Sequence, residues 1–181
     1  MTALLPPTSF SDVARRMVRA TALTAVLAGL VAAPLTAQAY VYAQRASNDL
    51  GQCAAGKGPA VRIAVNGLKS ADGNLFVRAY PPSKNDWLKS KRYLIRIEAR
   101  PQAGSTTVCV PLPAVGDYAI AVTHDVNGNR KTDISTDGGG MSNNPEVKRF
   151  LGLVPRPPSV DKVRFTAGPG VTRMTIAMQY W

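Results

Sequence analysis

The chain has 181 residues, and its 22 lysines and arginines against 11 aspartates and glutamates give a formal net charge of +11 at pH 7. This balance favours polyanionic partners, and a single histidine excludes a metal centre built from several histidines. The sequence has no G-x-S-x-G nucleophile motif and no carboxylate pair marked for glycoside hydrolysis. We therefore expect a protein that is not an enzyme.

The N-terminal segment, residues 1–39, is typical of a cleaved signal peptide. Three arginines between positions 15 and 19 form a positive region, residues 20–33 are small and apolar, and Ala37-Gln38-Ala39 is the A-x-A pattern of signal peptidase sites. Such a peptide would direct the chain to the periplasm or out of the cell, and cleavage after Ala39 would release the mature protein. No later stretch approaches the roughly 20 apolar residues of a membrane span, so we expect no transmembrane helix in the mature chain.

The mature chain is expected to contain one folded domain, because no change in composition divides it. Residues 40–59 are polar and rich in glycine, and we interpret them as a flexible leader. Residues 60–181 alternate strand signals with turn signals, and we interpret them as a β-sandwich domain.

Alternation of apolar and polar residues with a period of two predicts about seven strands. The predicted strands are residues 61–66, 75–80, 94–99, 106–110, 117–123, 162–166 and 171–179. The first two flank the turn at Ala71-Asp72-Gly73-Asn74 and are predicted to form a hairpin. Short strands joined by turns of glycine and proline are typical of an all-β sandwich such as the immunoglobulin fold.

Cys53 and Cys109 are the two cysteines of the chain. Two thiols in an oxidising compartment are expected to form one disulfide. Cys53 lies in the leader and Cys109 in an apolar alternating run, so the bond would fasten the leader to a sheet. A metal pair or a redox pair is the alternative, although the sequence has neither a C-x-x-C motif nor a histidine near either cysteine.

Four oxygen-bearing side chains follow the most apolar predicted strand. Asp125, Asn127, Asn129 and Asp133 stand at relative positions 1, 3, 5 and 9, the offsets from which a calcium loop supplies oxygens. One interpretation is a Ca²⁺ site. The alternative is a structural loop in which the Asp and Asn side chains cap their own backbone, and Arg130 at position 6, where EF-hand loops carry glycine, favours it.

His124 directly precedes this loop. One interpretation is a hydrolase with its site around His124, Asp125 and Asp133. The other is a histidine at a strand end whose ring nitrogens hydrogen-bond the neighbouring loop. Adjacent side chains point to opposite faces of a strand, so His124 and Asp125 are not a catalytic pair by virtue of adjacency.

The cations concentrate in residues 84–100 and 148–164. The candidate polyanion-binding residues are Lys84, Lys89, Lys91 and Arg92. For an exported protein the expected partners are anionic envelope glycans, lipopolysaccharide or an anionic membrane surface, rather than nucleic acid, for which no binding motif is present. The alternative is that the charge serves solubility alone.

Three motifs carry a resemblance to a known family. They are the turn from Leu112-Pro113 to Gly116-Asp117-Tyr118, the loop His124-Asp125-x-Asn127-Gly128-Asn129, and the run Ser142-Asn143-Asn144. Over residues 60–180 the chain resembles the bacterial exported family known as domain of unknown function 2141. The resemblance implies a small prealbumin-like or carboxypeptidase-regulatory-like sandwich without an assigned activity. We therefore expect an exported, non-catalytic binding or scaffolding module, with a calcium-stabilised accessory domain or a hydrolase as the alternatives.

Overall fold

The computed structural model describes residues 39–150 and 154–181. Apart from Ala39, the predicted signal peptide lies outside the described residues. The described chain is mostly β-structure, arranged as two main sheets that face each other in an open sandwich. No helix in these two ranges is long and apolar enough to cross a membrane.

The strands are short, and each of the seven predicted segments overlaps at least one of them. They are β1 (Gln44–Ser47), β2 (Ala60–Leu68), β3 (Asn74–Tyr80), β4 (Ile95–Ala99), β5 (Gly104–Pro111), β6 (Gly116–Asp125), β7 (Gly138–Met141), β8 (Lys148–Phe150), β9 (Val154–Arg156), β10 (Arg164–Ala167), β11 (Val171–Ala177) and β12 (Gln179–Tyr180). A 3₁₀ turn spans Leu50–Cys53, and one short helix, α1, spans Val160–Val163.

The larger sheet has seven strands in the order β1-β4-β3-β6-β7-β12, with β10 also paired to β6. The smaller sheet has the order β11-β2-β5, and β8 and β9 form a separate hairpin. The pairs β1–β4 and β2–β11 are parallel. The neighbouring pairs β3–β4, β3–β6, β6–β7 and β2–β5 are antiparallel.

The core lies between the two sheets and explains the period of two. Val61, Ile63 and Val65 of β2 face Val77 of β3 and Ile120 of β6, and all five are 0% exposed. Each such side chain contributes about 1.5–3 kcal/mol by leaving water. The alternate residues of β3 and β6 point away from this core, to the outer face of the larger sheet.

The prediction that the first two strands form a hairpin is wrong. β2 pairs with β5 and β11, whereas β3 pairs with β4 and β6, so residues 69–73 carry the chain from one sheet to the other. Alternation shows which face of a strand is buried, but both strands bury a face in the same core. The pattern therefore contains no information on which sheet each strand joins.

Part of residues 40–59, which the sequence predicts to be a flexible leader, forms the strand β1. The N–H groups of Ala43 and Gln44 donate to the carbonyls of Tyr93 and Leu94, and β1 then extends the larger sheet beside β4. All four residues of β1 are exposed, so the strand forms through backbone pairing and leaves no apolar pattern in the sequence.

The predicted disulfide is confirmed, because the sulfur atoms of Cys53 and Cys109 are bonded. The side chain of Asn48 binds the same edge strand: its Nδ2 donates to the Thr107 carbonyl and its Oδ1 accepts the Cys109 N–H, at 2.9 and 3.0 Å. The segment that follows β1 therefore covers the free edge of β5, which would otherwise expose unpaired backbone groups.

Candidate functional site

The described residues cover only part of the outer face of the larger sheet. A second hydrophobic cluster covers one part of it, where Tyr80, Trp87 and Tyr93 pack with Val160 and Val163 of α1. Beside this cluster lies an open cleft with a volume of about 570 Å³. This volume is in the usual range for small-molecule sites, roughly 300–1,000 Å³. We call this space the cationic cleft, because arginine and lysine side chains line it.

Three arginines from three neighbouring strands meet in the cationic cleft. Arg45 of β1 pairs directly with Arg96 of β4, and Arg96 pairs directly with Arg78 of β3. All three line the cleft, and we call them the arginine row. Like charges at directly opposed positions destabilise a sheet, so folding does not account for the row. Local conflicts of this kind are expected at functional sites.

One carboxylate offsets part of the charge. Glu98 accepts hydrogen bonds from Arg96 and from Arg130, the second at 2.7 Å. Partial burial alone would raise the pKa of Glu98, but the hydrogen bonds from Arg130 and Arg96 hold it below its ordinary value. The guanidinium groups of Arg78, Arg96 and Arg130 lie 5.4, 4.9 and 5.2 Å from the centre of the Phe76 ring. Arg96 and Arg130 therefore share the Glu98 carboxylate, and all three guanidinium groups lie near the Phe76 ring.

Arg78 has no carboxylate partner in the part of the chain that the structure describes. Its Nη1 donates to Thr123 Oγ1 at 3.1 Å. Burial lowers the pKa of Arg78, but an arginine stays protonated at neutral pH. A partly desolvated cation without a counter-charge is unfavourable, so an anion in the cleft would stabilise this side chain.

The rim of the cleft is a loop that presents Lys89 and Lys91. Leu88 and Lys91 have φ angles of 57° and 58°, a left-handed conformation that costs about 1–2 kcal/mol per residue without glycine. Trp87 anchors the loop, since its Nε1 donates to the Pro158 carbonyl at 2.9 Å. Strain of this kind clusters at binding and active sites.

The four predicted polyanion-binding residues do not form one surface. Lys89 and Lys91 line the cationic cleft, while Lys84 is exposed outside it. Arg92 is bound to Asp86 at 2.5 Å and lies 4.1 Å from the centre of the Tyr42 ring. The charged residues lining the cleft are the cations Arg45, Arg78, Lys89, Lys91 and Arg96 and the carboxylates Asp133 and Asp137.

The arginine row was not predicted from the sequence, because its members are far apart in the chain. A signal was nevertheless present. Arg78 and Arg96 each stand inside an alternating strand, where uncharged side chains are usual. Only the register of β1, β4 and β3 shows that these charges are neighbours.

The loop that follows β6, residues 125–137, begins with a buried carboxylate. Asp125 is 0% exposed. Its Oδ2 accepts hydrogen bonds from Arg130 N at 2.9 Å and from Asn74 Nδ2 at 3.2 Å. Its Oδ1 is buried and has no donor among the described residues. Arg130 has a φ angle of 63°, so the chain takes the left-handed turn that calcium loops make with glycine at this position.

The other predicted calcium ligands hold the loop together. Asn127 and Asn129 accept the N–H groups two residues further on, at 3.1 and 2.8 Å, as Asx-turns do. Their Nδ2 groups both donate to Asp133 Oδ2, at 2.9 and 2.6 Å, and these hydrogen bonds lower the pKa of Asp133. Residues 39–150 and 154–181 contain no group of three His, Cys, Asp or Glu side chains placed to hold a metal ion.

His124 is fully buried, and both of its ring nitrogens have partners. Nε2 lies 2.9 Å from the Asp72 carbonyl, which can only accept, so Nε2 carries the proton. In the neutral ring Nδ1 then accepts the hydroxyl of Tyr180 at 2.6 Å. Burial raises the pKa of Tyr180, which keeps that hydroxyl a donor. His124 thus joins the turn before β3 to the C-terminal strand.

The glycine run of β7 makes room for the C-terminal aromatic residues. A Cβ atom on Gly138 would lie 2.4 Å from the Tyr180 ring, and one on Gly139 would lie 2.9 Å from the Trp181 ring. Trp181 thereby forms part of the cleft lining. Tyr93 also lines the cleft, although it is largely buried, whereas Trp87 is buried away from it.

Comparison with known proteins gives one family. The family described as "Uncharacterized protein conserved in bacteria (DUF2141)" matches residues 63–175, which include most of the β-sandwich and the loop after β6. No curated protein matches the chain, and no solved structure matches it.

Proposed function

The chain belongs to the DUF2141 family, whose description assigns no activity, and we propose that it is an exported, non-catalytic module that binds phosphate-bearing lipids of the cell envelope through the cationic cleft. The observation that carries this proposal is the arginine row, in which Arg45, Arg96 and Arg78 are direct neighbours in the sheet. Lipopolysaccharide and anionic phospholipids share the phosphate chemistry that arginine binds best. The immunoglobulin-like or prealbumin-like sandwich that we propose would act as the rigid support.

The non-catalytic part of the proposal is supported by the state of the histidine. His124 has both ring nitrogens engaged and is 0% exposed, so it has no free nitrogen for proton transfer to a substrate. Asp125 is equally buried. A hydrolase around these residues would need them to reach a substrate, which the hydrogen bonds oppose.

Export is supported by the A-x-A pattern at Ala37-Gln38-Ala39 and by the disulfide between Cys53 and Cys109, which suits an oxidising compartment. In a bacterial host we expect the mature protein to begin at Tyr40 and to be recovered from the periplasm or medium. Intact-mass measurement of each fraction tests this. A cytoplasmic protein that retains Met1 would contradict it.

Binding to phosphate-bearing lipids should depend on salt and on the rim of the cleft. We expect the protein to sediment with phosphatidylglycerol vesicles or lipopolysaccharide at low salt and to be released near 0.5 M salt, because exposed charges are screened over about 10 Å at 0.1 M and less above it. Lys89→Glu with Lys91→Glu should reduce binding about tenfold or more.

The matched control is Lys57→Glu with Arg173→Glu, which makes the same change of charge at exposed residues that do not line the cationic cleft. We expect this variant to bind nearly as the wild type does. If both variants lost the same amount of binding, the effect would come from net charge alone, and a specific site in the cleft would be contradicted. If the protein bound a soluble anionic polysaccharide more tightly than either lipid, the ligand would be an envelope glycan and not a phosphate-bearing lipid.

A second candidate function is that of a calcium-stabilised accessory domain. The observation in its favour is Asp125 Oδ1, a buried carboxylate oxygen that has no donor in the described part of the chain, since such an atom is unfavourable unless a partner is supplied. Asp125 and Asp133 would provide carboxylate oxygens, and Asn127 and Asn129 would provide carbonyl oxygens.

If this loop binds Ca²⁺, millimolar calcium should raise the melting temperature, because a ligand of the folded state alone stabilises it by mass action. Magnesium should do less, since it requires a tighter octahedral shell. Asp125→Ala should abolish the calcium effect, and Asp161→Ala, at an exposed aspartate of α1, should preserve it. Identical melting curves in calcium and in chelator would leave the Asx-turns as the whole role of the loop.

A further inference from the structure

The cationic cleft separates charge from apolar surface along a single line of paired residues. Arg45 pairs with Arg96, Arg96 with Arg78, Arg78 with Ala121, and Ala121 with Met141. All five residues line the cleft. Neighbouring strands are about 4.8 Å apart, so the line runs for roughly 10 Å over guanidinium groups and for a similar length over small or apolar side chains.

The charged end has donors that the protein leaves unused. Arg78 spends only Nη1 on a neutral hydroxyl, that of Thr123. Arg96 binds Glu98, but its Nε is buried and without an acceptor among the described residues. Arg45 is exposed at the edge of the sheet. The fork of a guanidinium group matches the paired oxygens of a carboxylate or phosphate, so one anionic group would supply the counter-charge that Arg78 lacks among the described residues.

The other end is mainly apolar. Its lining includes Ile134, Met141, Val147 and Trp181, together with the carboxylates Asp133 and Asp137, whose oxygens accept hydrogen bonds from the loop after β6. Ile134 is a large hydrophobic residue that is nonetheless 43% exposed. Exposed apolar surface gathered inside a concave site marks a place where a ligand removes it from water.

We propose that the cationic cleft holds a single anionic amphiphile, with its carboxylate or phosphate head on the arginine row and its apolar part over Ala121, Met141 and Trp181. This inference rests on the proposed function and names the kind of molecule bound. A polyanion with charges at regular intervals would place some of them over the apolar end, close to the carboxylates Asp133 and Asp137. A neutral lipid would leave Arg78 without the anionic partner that it lacks among the described residues.

The experiment measures binding by isothermal titration calorimetry, with every probe below its critical micelle concentration. The probes are dodecyl phosphate and dodecanoate, with inorganic phosphate and acetate as heads without a chain, and dodecyl maltoside as a chain without charge. We expect at least one of the two amphiphiles to bind about tenfold or more tightly than its own head and than dodecyl maltoside. Their ranking identifies the head as phosphate or carboxylate.

Arg78→Met should weaken binding of the amphiphile about tenfold or more. Arg173→Met, which removes one arginine from the smaller sheet, should not change this binding. Because Arg78 is half-buried, Arg45→Met at the exposed edge provides a second variant that does not threaten the fold. Met141→Ser should weaken dodecyl phosphate or dodecanoate while leaving inorganic phosphate unchanged, because it removes only apolar contact.

Equal affinities for dodecyl phosphate, inorganic phosphate and their carboxylate counterparts would overturn the amphiphile, and so would full affinity in both Arg78→Met and Arg45→Met. The two proposals fail separately. Sedimentation with anionic vesicles but no binding of soluble amphiphile would remove this inference alone. Binding of the amphiphile without sedimentation would remove the membrane and lipopolysaccharide partners and keep the cleft as a site for a free molecule.

Discussion

Replacing both Cys53 and Cys109 by serine is expected to lower the free energy of unfolding by about 4 kcal/mol, because the bond joins residues 56 positions apart and its loss restores the freedom of that loop in the unfolded chain. For a domain of this size the melting temperature should fall by about 10–15 °C. The effect should be large because the bonded segment connects both sheets. β1 extends the larger sheet at Gln44–Ser47, and the 3₁₀ turn at Leu50–Cys53 is fastened to β5 of the smaller one.

Thermal melting with and without reductant measures this effect. In reductant, the melting temperature of the wild type should fall to that of the serine variant. The melting temperature of the serine variant should not change when reductant is added. The bonds from Asn48 to Thr107 and Cys109 do not involve the disulfide, so the segment should remain docked and the loss should stay near the figure for the loop alone. Alkylation of two cysteines in the absence of reductant would contradict the bond itself.

Many strands of the sandwich could be predicted, because the alternation of apolar and polar residues that marks them is a short-range feature of the sequence. In β2 the buried residues Val61, Ile63 and Val65 recur at a period of two, and the sequence shows that period directly. β3 and β6 are buried on both faces, since the second hydrophobic cluster includes Tyr80, Ala119 and Ala121. β7 was beyond such reasoning. Its sequence is Gly-Gly-Gly-Met, which has no alternation, and it is a strand because β6 pairs with it and the side chains of Tyr180 and Trp181 fill the space above its glycines.

The candidate site was predictable only in its local parts. The spacing of Asp125, Asn127 and Asn129 within a few residues indicated a loop built by their side chains, and the hydrogen bonds agree with the Asx-turn interpretation at both asparagines. The arginine row depends on pairing between residues 45, 96 and 78. Those pairings follow from register, and register follows from the packing of the whole core, which no local pattern contains.

The turn before β3 is expected to be the least tolerant point of the chain. Gly73 has a φ angle of 70°, and a Cβ atom there would lie 1.9 Å from the carbonyl oxygen of Asp125 and 2.7 Å from that of Val126. These are backbone atoms, which cannot rotate away. The same turn supplies the Asp72 carbonyl to His124 and ends where Asn74 reaches Asp125, so the loop after β6 has no free direction in which to move.

Gly73→Ala should therefore lower the free energy of unfolding by about 2–5 kcal/mol, the sum of a left-handed alanine and a forced shift of packed backbone. Urea denaturation measures it. Gly104→Ala is the matched control, because Gly104 has a φ angle of 85° but nothing within 4 Å of its Cβ position. That variant should show the conformational part alone, about 1–2 kcal/mol. Equal losses in the two variants would mean that the loop gives way to the new methyl group, and the close contact between the two turns would then have no role in stability. If Gly73→Ala gives no soluble protein while Gly104→Ala folds, the difference has the predicted sign and exceeds the predicted size.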